Sequence, residues 1–238
     1  MALTALLDGA VLAEKTGPTA RVLALHGWGR TRADLLPAVS GVAALVPDLP
    51  GFGASPPPPA AWGSKEFAGL LAPVLAEGGW TVVGHSFGGR IAVQLAAGWP
   101  ELVSELVLTG VPLLRRTPSS GKPPLAFRAV KRLNRLGLLS DDRMEAERRK
   151  RGSADYRAAQ GVMRDCLVRL VNEDYRDLLS GIAAPVSLVW GASDTAAPLP
   201  MAREAQALLP DATLTVSPTS GHLLDQPLLA LLRERLAA

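Results

Sequence analysis

WTVVGHSFGGRIAVQLAA, residues 80–97, decides how the rest of the chain is to be read. An apolar, β-branched run leads into Gly84-His85-Ser86-Phe87-Gly88, and a run of helix formers follows. A G-x-S-x-G corner between a strand and a helix holds its serine in a strained backbone conformation at the strand's carboxyl end. Glycines are required around it because side chains there would collide with the neighbouring strand and helix. Ser86 is therefore the candidate nucleophile. The amide of Phe87, at the helix start where the dipole is positive, is a candidate donor to a developing oxyanion.

Working outward from this corner, apolar runs at 21–27, 42–53, 102–112, 185–194 and 212–218 read as further strands, and the first twenty residues as a short hairpin. Helices are expected at 32–39, 64–77, 88–98, 199–209 and 226–236. Strands alternating with helices imply an α/β fold with a mostly parallel sheet flanked on both faces. Residues 113–183 break the rhythm, because they carry amphipathic helices and no strand. In one, Ala159, Val162, Met163, Cys166, Leu167 and Leu170 follow helical spacing. In another, Phe127, Val130, Leu133 and Leu136 oppose Arg128, Lys131, Arg132 and Arg135. The organisation expected is a core of 1–112 and 184–238 with a helical cap, 113–183, placed over it.

A serine hydroxyl is hardly ionised at neutral pH and needs a base. The chain has three histidines. His85 adjoins the serine and should point away from it, and His26 precedes the glycine of "HGWG". His222, in "TSGHLLDQP" after the last strand, falls where a parallel sheet brings it above Ser86. Asp194, ending "LVWGASD", is at a strand's carboxyl end and can fix the tautomer of His222. Asp48 also ends a strand but precedes the serine, and is expected to bond loop amides instead. The second oxyanion donor is expected to be the amide of Trp28, its indole forming a pocket wall. His26 and Arg90 complete the candidates as substrate-binding side chains, Arg90 either facing a substrate carboxylate or bonding loop carbonyls as a structural arginine would.

The 238 residues are 48% hydrophobic and 20% charged, with a net charge of +3, ordinary values for a soluble domain with a sizeable core. The charge is unevenly spread. Residues 113–183 carry 16 Lys/Arg against 9 Asp/Glu, so the rest of the chain is near −4. That balance does not call for a nucleic-acid partner. A single cysteine, Cys166, excludes an internal disulfide, and three scattered histidines argue against a metal site. No apolar run approaches a membrane span's length, and the first residues lack a basic leader, so a cytoplasmic location is expected.

Taken in order, "HGWG", "DLPGFG", "GHSFGG", "WGASD" and "SGHLLDQP" resemble the α/β-hydrolase superfamily with a helical cap. The resemblance covers nearly the whole chain except the cap. It implies a serine hydrolase of the carboxylesterase type that works through an acyl-enzyme without metal or organic cofactor. Serine at the elbow sets it apart from the aspartate-nucleophile branches. "HGWG" with "DLPGFG" is similar to the biotin-pathway esterases of pimeloyl esters on acyl carrier protein. Arg90 after "SFGG" is similar to the menaquinone-pathway synthase, a lyase acting on a multiply charged acid. The substrate implied is a small ester, anionic or carried on acyl carrier protein or CoA. Carbon–carbon bond hydrolases use the same triad, and some members of the fold are non-catalytic ligand receptors. An intact Ser86, Asp194 and His222 favour an enzyme.

Overall fold

The computed structural model describes residues 3–115 and 153–237. Eight strands form one sheet: β1 (Thr4–Leu6), β2 (Val11–Lys15), β3 (Val22–Leu25), β4 (Ala44–Asp48), β5 (Trp80–His85), β6 (Val103–Thr109), β7 (Val186–Gly191) and β8 (Ala212–Ser217), in the order β1-β2-β4-β3-β5-β6-β7-β8. The hairpin β1–β2 is antiparallel and docks antiparallel on β4. Every other pairing is parallel, so the carboxyl ends of β5, β6, β7 and β8 emerge side by side on one edge.

Among the described residues the helices are α1 (Ser64–Leu71), α2 (Phe87–Gly98), α3 (Ala154–Ala158), α4 (Gly161–Leu170), α5 (Arg176–Leu179), α6 (Leu199–Leu208) and α7 (Gln226–Ala237). Strand residues alternate between two apolar layers. Leu23, Leu25, Val82, Leu106, Leu108, Leu188 and Trp190 face α1, α2 and α6. Val22, Ala24, Val83, Val107 and Val189 face α7 and the segment holding Leu35, Ala38 and Val39. Both faces are buried, which is why these strands read as continuous apolar runs.

Two expected helices come out shorter. Residues 32–39 contain only a 3-10 turn, Arg32–Asp34, because Pro37 lacks an N–H and disfavours helix at the residue before it. The helix expected over 64–77 stops at Leu71 and continues as a 3-10 turn, Ala72–Leu75, around Pro73. The amphipathic segment of Phe127 to Leu136 lies outside the described residues. The one expected from Ala159 to Leu170 is α4, which starts only at Gly161; Ala159 precedes it in extended conformation, at the end of α3.

The chain between β6 and β7 leaves and returns through a narrow neck. Tyr175 N donates to Leu113 O (3.0 Å), Arg115 N to Asp174 Oδ2 (3.1 Å) and Arg115 Nη2 to Asn172 Oδ1 (3.2 Å). The buried Tyr175 hydroxyl donates to Glu173 and lies 2.9 Å from Ser64 Oγ on α1. Ser64 N donates to Glu173 Oε1 (2.9 Å), so the returning limb is fastened to a core helix by its polar atoms.

Candidate active site

β5 ends at His85 and α2 begins at Phe87, leaving Ser86 alone to make the corner. Its φ of 50° and ψ of −109° lie in a region that non-glycine residues avoid. Among the described residues only Leu7 and Asp8 share a positive φ without being glycine. The glycines make that corner possible. A Cβ on Gly84 would stand 2.6 Å from Gly89 N, one on Gly88 would overlap the Leu25 carbonyl, and one on Gly89 would overlap the Val111 side chain.

His222 projects from the loop between β8 and α7. Its Nε2 is 3.1 Å from Ser86 Oγ, and its Nδ1 is 2.9 Å from Asp194 Oδ2. Asp194, from the loop after β7, is buried, and its Oδ1 accepts from the amides of Ala196 and Ala197 at 2.8 Å each. Gly110, just past β6, has φ +58°, and a Cβ there would stand 3.2 Å from both Asp194 Oδ2 and His222 Nδ1. The histidine loop is braced by groups that the sequence reading passed over. Ser220 Oγ bonds Ser217 Oγ (2.6 Å) and donates to Asp225 Oδ1 (2.7 Å), which also accepts the amide of Leu228 (3.1 Å) and so caps α7. An aspartate just before Gln-Pro and an apolar helical run is a helix-start signal, and it could have revealed Asp225.

The amides flanking the elbow are used by the scaffold: Ser86 N donates to Thr109 O and Gly88 N to His26 O, both at 3.0 Å. Among the described residues no comparable bond is made by the amides of Phe87 or Trp28. The Trp28 ring meets Phe52 and Phe87 edge-on, at 4.9 and 5.4 Å between centroids. A cavity of about 150 Å³ carries Ser86, His222 and Phe87 on its wall, with Trp28, Leu167 and Leu170 beside them. A larger groove, about 540 Å³, lies at the opposite, amino ends of the strands near Trp80. It holds none of the serine, histidine and aspartate assembled here; Ser86 and His222 line the smaller cavity.

His26 is corrected by its surroundings. It is fully buried, its Nδ1 donates to Gly27 O (2.7 Å) and its Nε2 accepts from Leu49 N (2.9 Å), leaving no nitrogen for a substrate. Burial also lowers its pKa, which keeps it neutral. Arg90 does line the cavity, but its guanidinium donates to the Leu170 carbonyl at the end of α4 and lies 5.8 Å over the Tyr175 ring. Asp48 bonds loop amides as expected, accepting from Arg32 N (2.9 Å) and Ala54 N (2.8 Å). His85 is unexpected. It turns from the serine, but toward the histidine loop, with Nε2 2.9 Å from the His222 carbonyl oxygen.

Among the described residues no group of three or more acidic, histidine or cysteine side chains is placed to hold a metal ion. Nor is any helix there long and apolar enough to cross a membrane.

The chain matches the Alpha/beta hydrolase family over residues 22–234. It is 29% identical over 233 residues to the pimeloyl-[acyl-carrier protein] methyl ester esterase of Aromatoleum aromaticum, covering 83% of this chain and 89% of that protein. It is 28% identical over 227 residues to a 2-hydroxy-6-oxononadienedioate/2-hydroxy-6-oxononatrienedioate hydrolase of Cupriavidus pinatubonensis, covering 82% and 75%. An esterase from Exiguobacterium antarcticum superposes with a TM-score of 0.73 at 19% identity, covering 99% of both chains, a likeness of fold.

Proposed function

From the premise that this chain belongs to the alpha/beta hydrolase family, we propose that it is a serine hydrolase cleaving a carboxylic ester through an acyl-enzyme. The observation that carries the reading is the continuous line from Asp194 Oδ2 through both nitrogens of His222 to Ser86 Oγ, at 2.9 and 3.1 Å. Asp194 holds the proton on Nδ1, so Nε2 presents its lone pair to the serine. As Oγ attacks the ester carbonyl, Nε2 takes the hydroxyl proton. The amides of Phe87 and Trp28, left free by the scaffold, receive the oxyanion. The imidazolium returns its proton to the departing alkoxide oxygen. Water, deprotonated by the same nitrogen, then releases the acid and restores Ser86. None of these steps needs a metal or an organic cofactor.

Residues 113–183 act in this reading as a cap, since Leu167 and Leu170 of α4 close one side of the cavity. Trp28, Phe87, Leu167 and Leu170 give the cavity an apolar wall beside the serine, which suits the acyl part of an ester. The charge of the cap bears on the substrate class. Its described part, 113–115 and 153–183, holds 5 Lys/Arg and 5 Asp/Glu, so the excess of +7 resides wholly in 116–152. A local excess of that size attracts anions to the protein. Together with the acyl-carrier-protein ester named for the Aromatoleum relative, it supports an ester bearing an acid or carried on an acidic partner.

A fluorophosphonate probe tests the chemistry, because it should label the protein and fail on Ser86→Ala. Matched neutral and anionic esters of equal length then test the substrate class. The anionic ester should turn over faster at low salt, with an advantage that shrinks as salt rises. Equal kcat/KM for the two leaves a generalist esterase. A second reading, hydrolysis of a carbon–carbon bond in a keto-diacid, is favoured by the Cupriavidus relative. Turnover of such a diacid with no activity on esters would establish it.

A further inference from the structure

His85 is fully enclosed, with 1% of its surface exposed, and the mechanism above gives it nothing to do. Its Nε2 stands 2.9 Å from the main-chain oxygen of His222. A carbonyl oxygen only accepts, so Nε2 carries the hydrogen and Nδ1 is left with a lone pair. That Nδ1 is buried and has no partner among the described residues. It rests instead against Gly27, where a Cβ would approach it to 2.9 Å. An unpaired buried nitrogen is a cost that an aliphatic side chain of similar size would not incur. The single bond of this imidazole goes to the residue that carries the base, across 137 positions of sequence.

We propose that His85 is a positioning residue for the base: consecutive residues of the elbow hold opposite ends of His222, Ser86 Oγ meeting its ring and His85 its main chain. The proposal rests on the serine-hydrolase reading for its kinetic consequence, but not for its geometry. Anchoring both ends to one rigid corner fixes the Oγ–Nε2 separation whatever the rest of the loop does. Gly27 then has a role as well, since its missing side chain is the space that the His85 ring occupies.

A clamp of this kind must stay uncharged, because a second proton on Nδ1 would be buried without an acceptor. Burial lowers the pKa of His85 to about 4, and the nearby His222 ring, 5.2 Å away between centroids, acts in the same direction. The His222 carbonyl and the carboxylates of Asp34 and Asp194 oppose this and are outweighed.

The test compares His85→Leu with His85→Gln, whose side-chain amide can reach the same carbonyl. Active sites are counted by fluorophosphonate titration, so that kcat is expressed per competent serine. His85→Leu should lose roughly 10- to 100-fold in kcat per site with little change in KM, the scale of a misplaced catalytic group. His85→Gln should recover most of it. A role in folding alone would lower the number of titratable sites and leave the rate per site untouched, and that result overturns the proposal. Equal losses in both variants overturn it too. Imidazole ¹⁵N NMR of the wild-type protein reads the clamp without catalysis. His85 should keep its proton on Nε2 and stay neutral down to about pH 5, and an Nδ1-protonated or readily titrating His85 refutes the clamp even if both variants fail to fold. Should the wild-type protein resist the fluorophosphonate, the hydrolase reading falls, and the NMR result alone decides the clamp.

Discussion

Replacing Asp194 by asparagine separates the chemistry of the site from its architecture. The carboxylate has two duties: Oδ1 accepts from the amides of Ala196 and Ala197 at 2.8 Å, and Oδ2 faces His222 Nδ1 at 2.9 Å. Asparagine keeps its oxygen for the two amides and turns its NH₂ toward the ring. Nδ1 must then accept, which moves the imidazole proton to Nε2, where it meets Ser86 Oγ instead of a lone pair. The base is lost while every loop bond survives. Such a tautomer error costs on the order of 10⁴ in kcat, about 5 kcal/mol of barrier. Stability should change by less than about 1 kcal/mol, because no buried donor is orphaned. Asp194→Ala behaves differently, since it strands the buried amide of Ala197 at a cost of about 1–3 kcal/mol. For a chain of this size that lowers Tm by about 2–4 °C per kcal/mol. Steady-state kinetics on an activated ester and thermal melts, run on both variants, make the comparison. An asparagine variant within tenfold of wild type refutes the reasoning and means that another carboxylate orients His222.

Ser86→Ala and His222→Ala should each lower kcat by about 10⁴ to 10⁶, because the three residues act as a unit, with melts close to wild type. Near-normal turnover in either would end the mechanism. Gly88→Ala pushes a Cβ into the Leu25 carbonyl and should destabilise by about 1–3 kcal/mol or more, read by urea unfolding. A neutral effect would mean that the elbow is looser than described. Acid stability follows from His85. Burial lowers its pKa to about 4 from 6.5, so the unfolded chain takes up the proton first. Its contribution is whole above about pH 6.5 and lost as pH falls toward 4, by up to about 3 kcal/mol. His26, lowered by burial too, adds a loss of the same sign. Urea titrations at pH 7, 5.5 and 4.5 should show this decline, reduced in His85→Gln; a flat profile contradicts it.

The sheet was legible because its inner strands are buried on both faces and therefore announce themselves as uninterrupted apolar runs. Ser86, Asp194 and His222 were legible for a related reason: parallel strands deliver their carboxyl ends to one edge, so the loops after β5, β7 and β8 had to converge. Pro37 and Pro73 lack N–H groups, and this shortens two helices that hydrophobic spacing alone extends. What the sequence hid depends on partners far along the chain. His26 stands in a motif beside the site, yet only its bonds to Gly27 and Leu49 reveal that it supports a loop. Arg90 offered two readings, a substrate carboxylate or a main-chain oxygen. Its bond to Leu170, 80 residues away, is the second of these, and no local pattern encodes it. The clasp of Ser64, Glu173 and Tyr175 is equally silent in sequence, because each residue is ordinary where it stands.

The neck at 113–115 and 172–175 has a consequence for how this molecule can change. Its bonds tie the limb leaving β6 directly to the limb returning toward β7, so the ends of the two strands are held together locally. Doubling the length of a flexible loop between fixed ends costs only about 0.6 kcal/mol. A difference in length between the two limbs therefore carries little entropic cost at the neck itself. The neck is thus a joint at which insert length can vary without asking β6 or β7 to move.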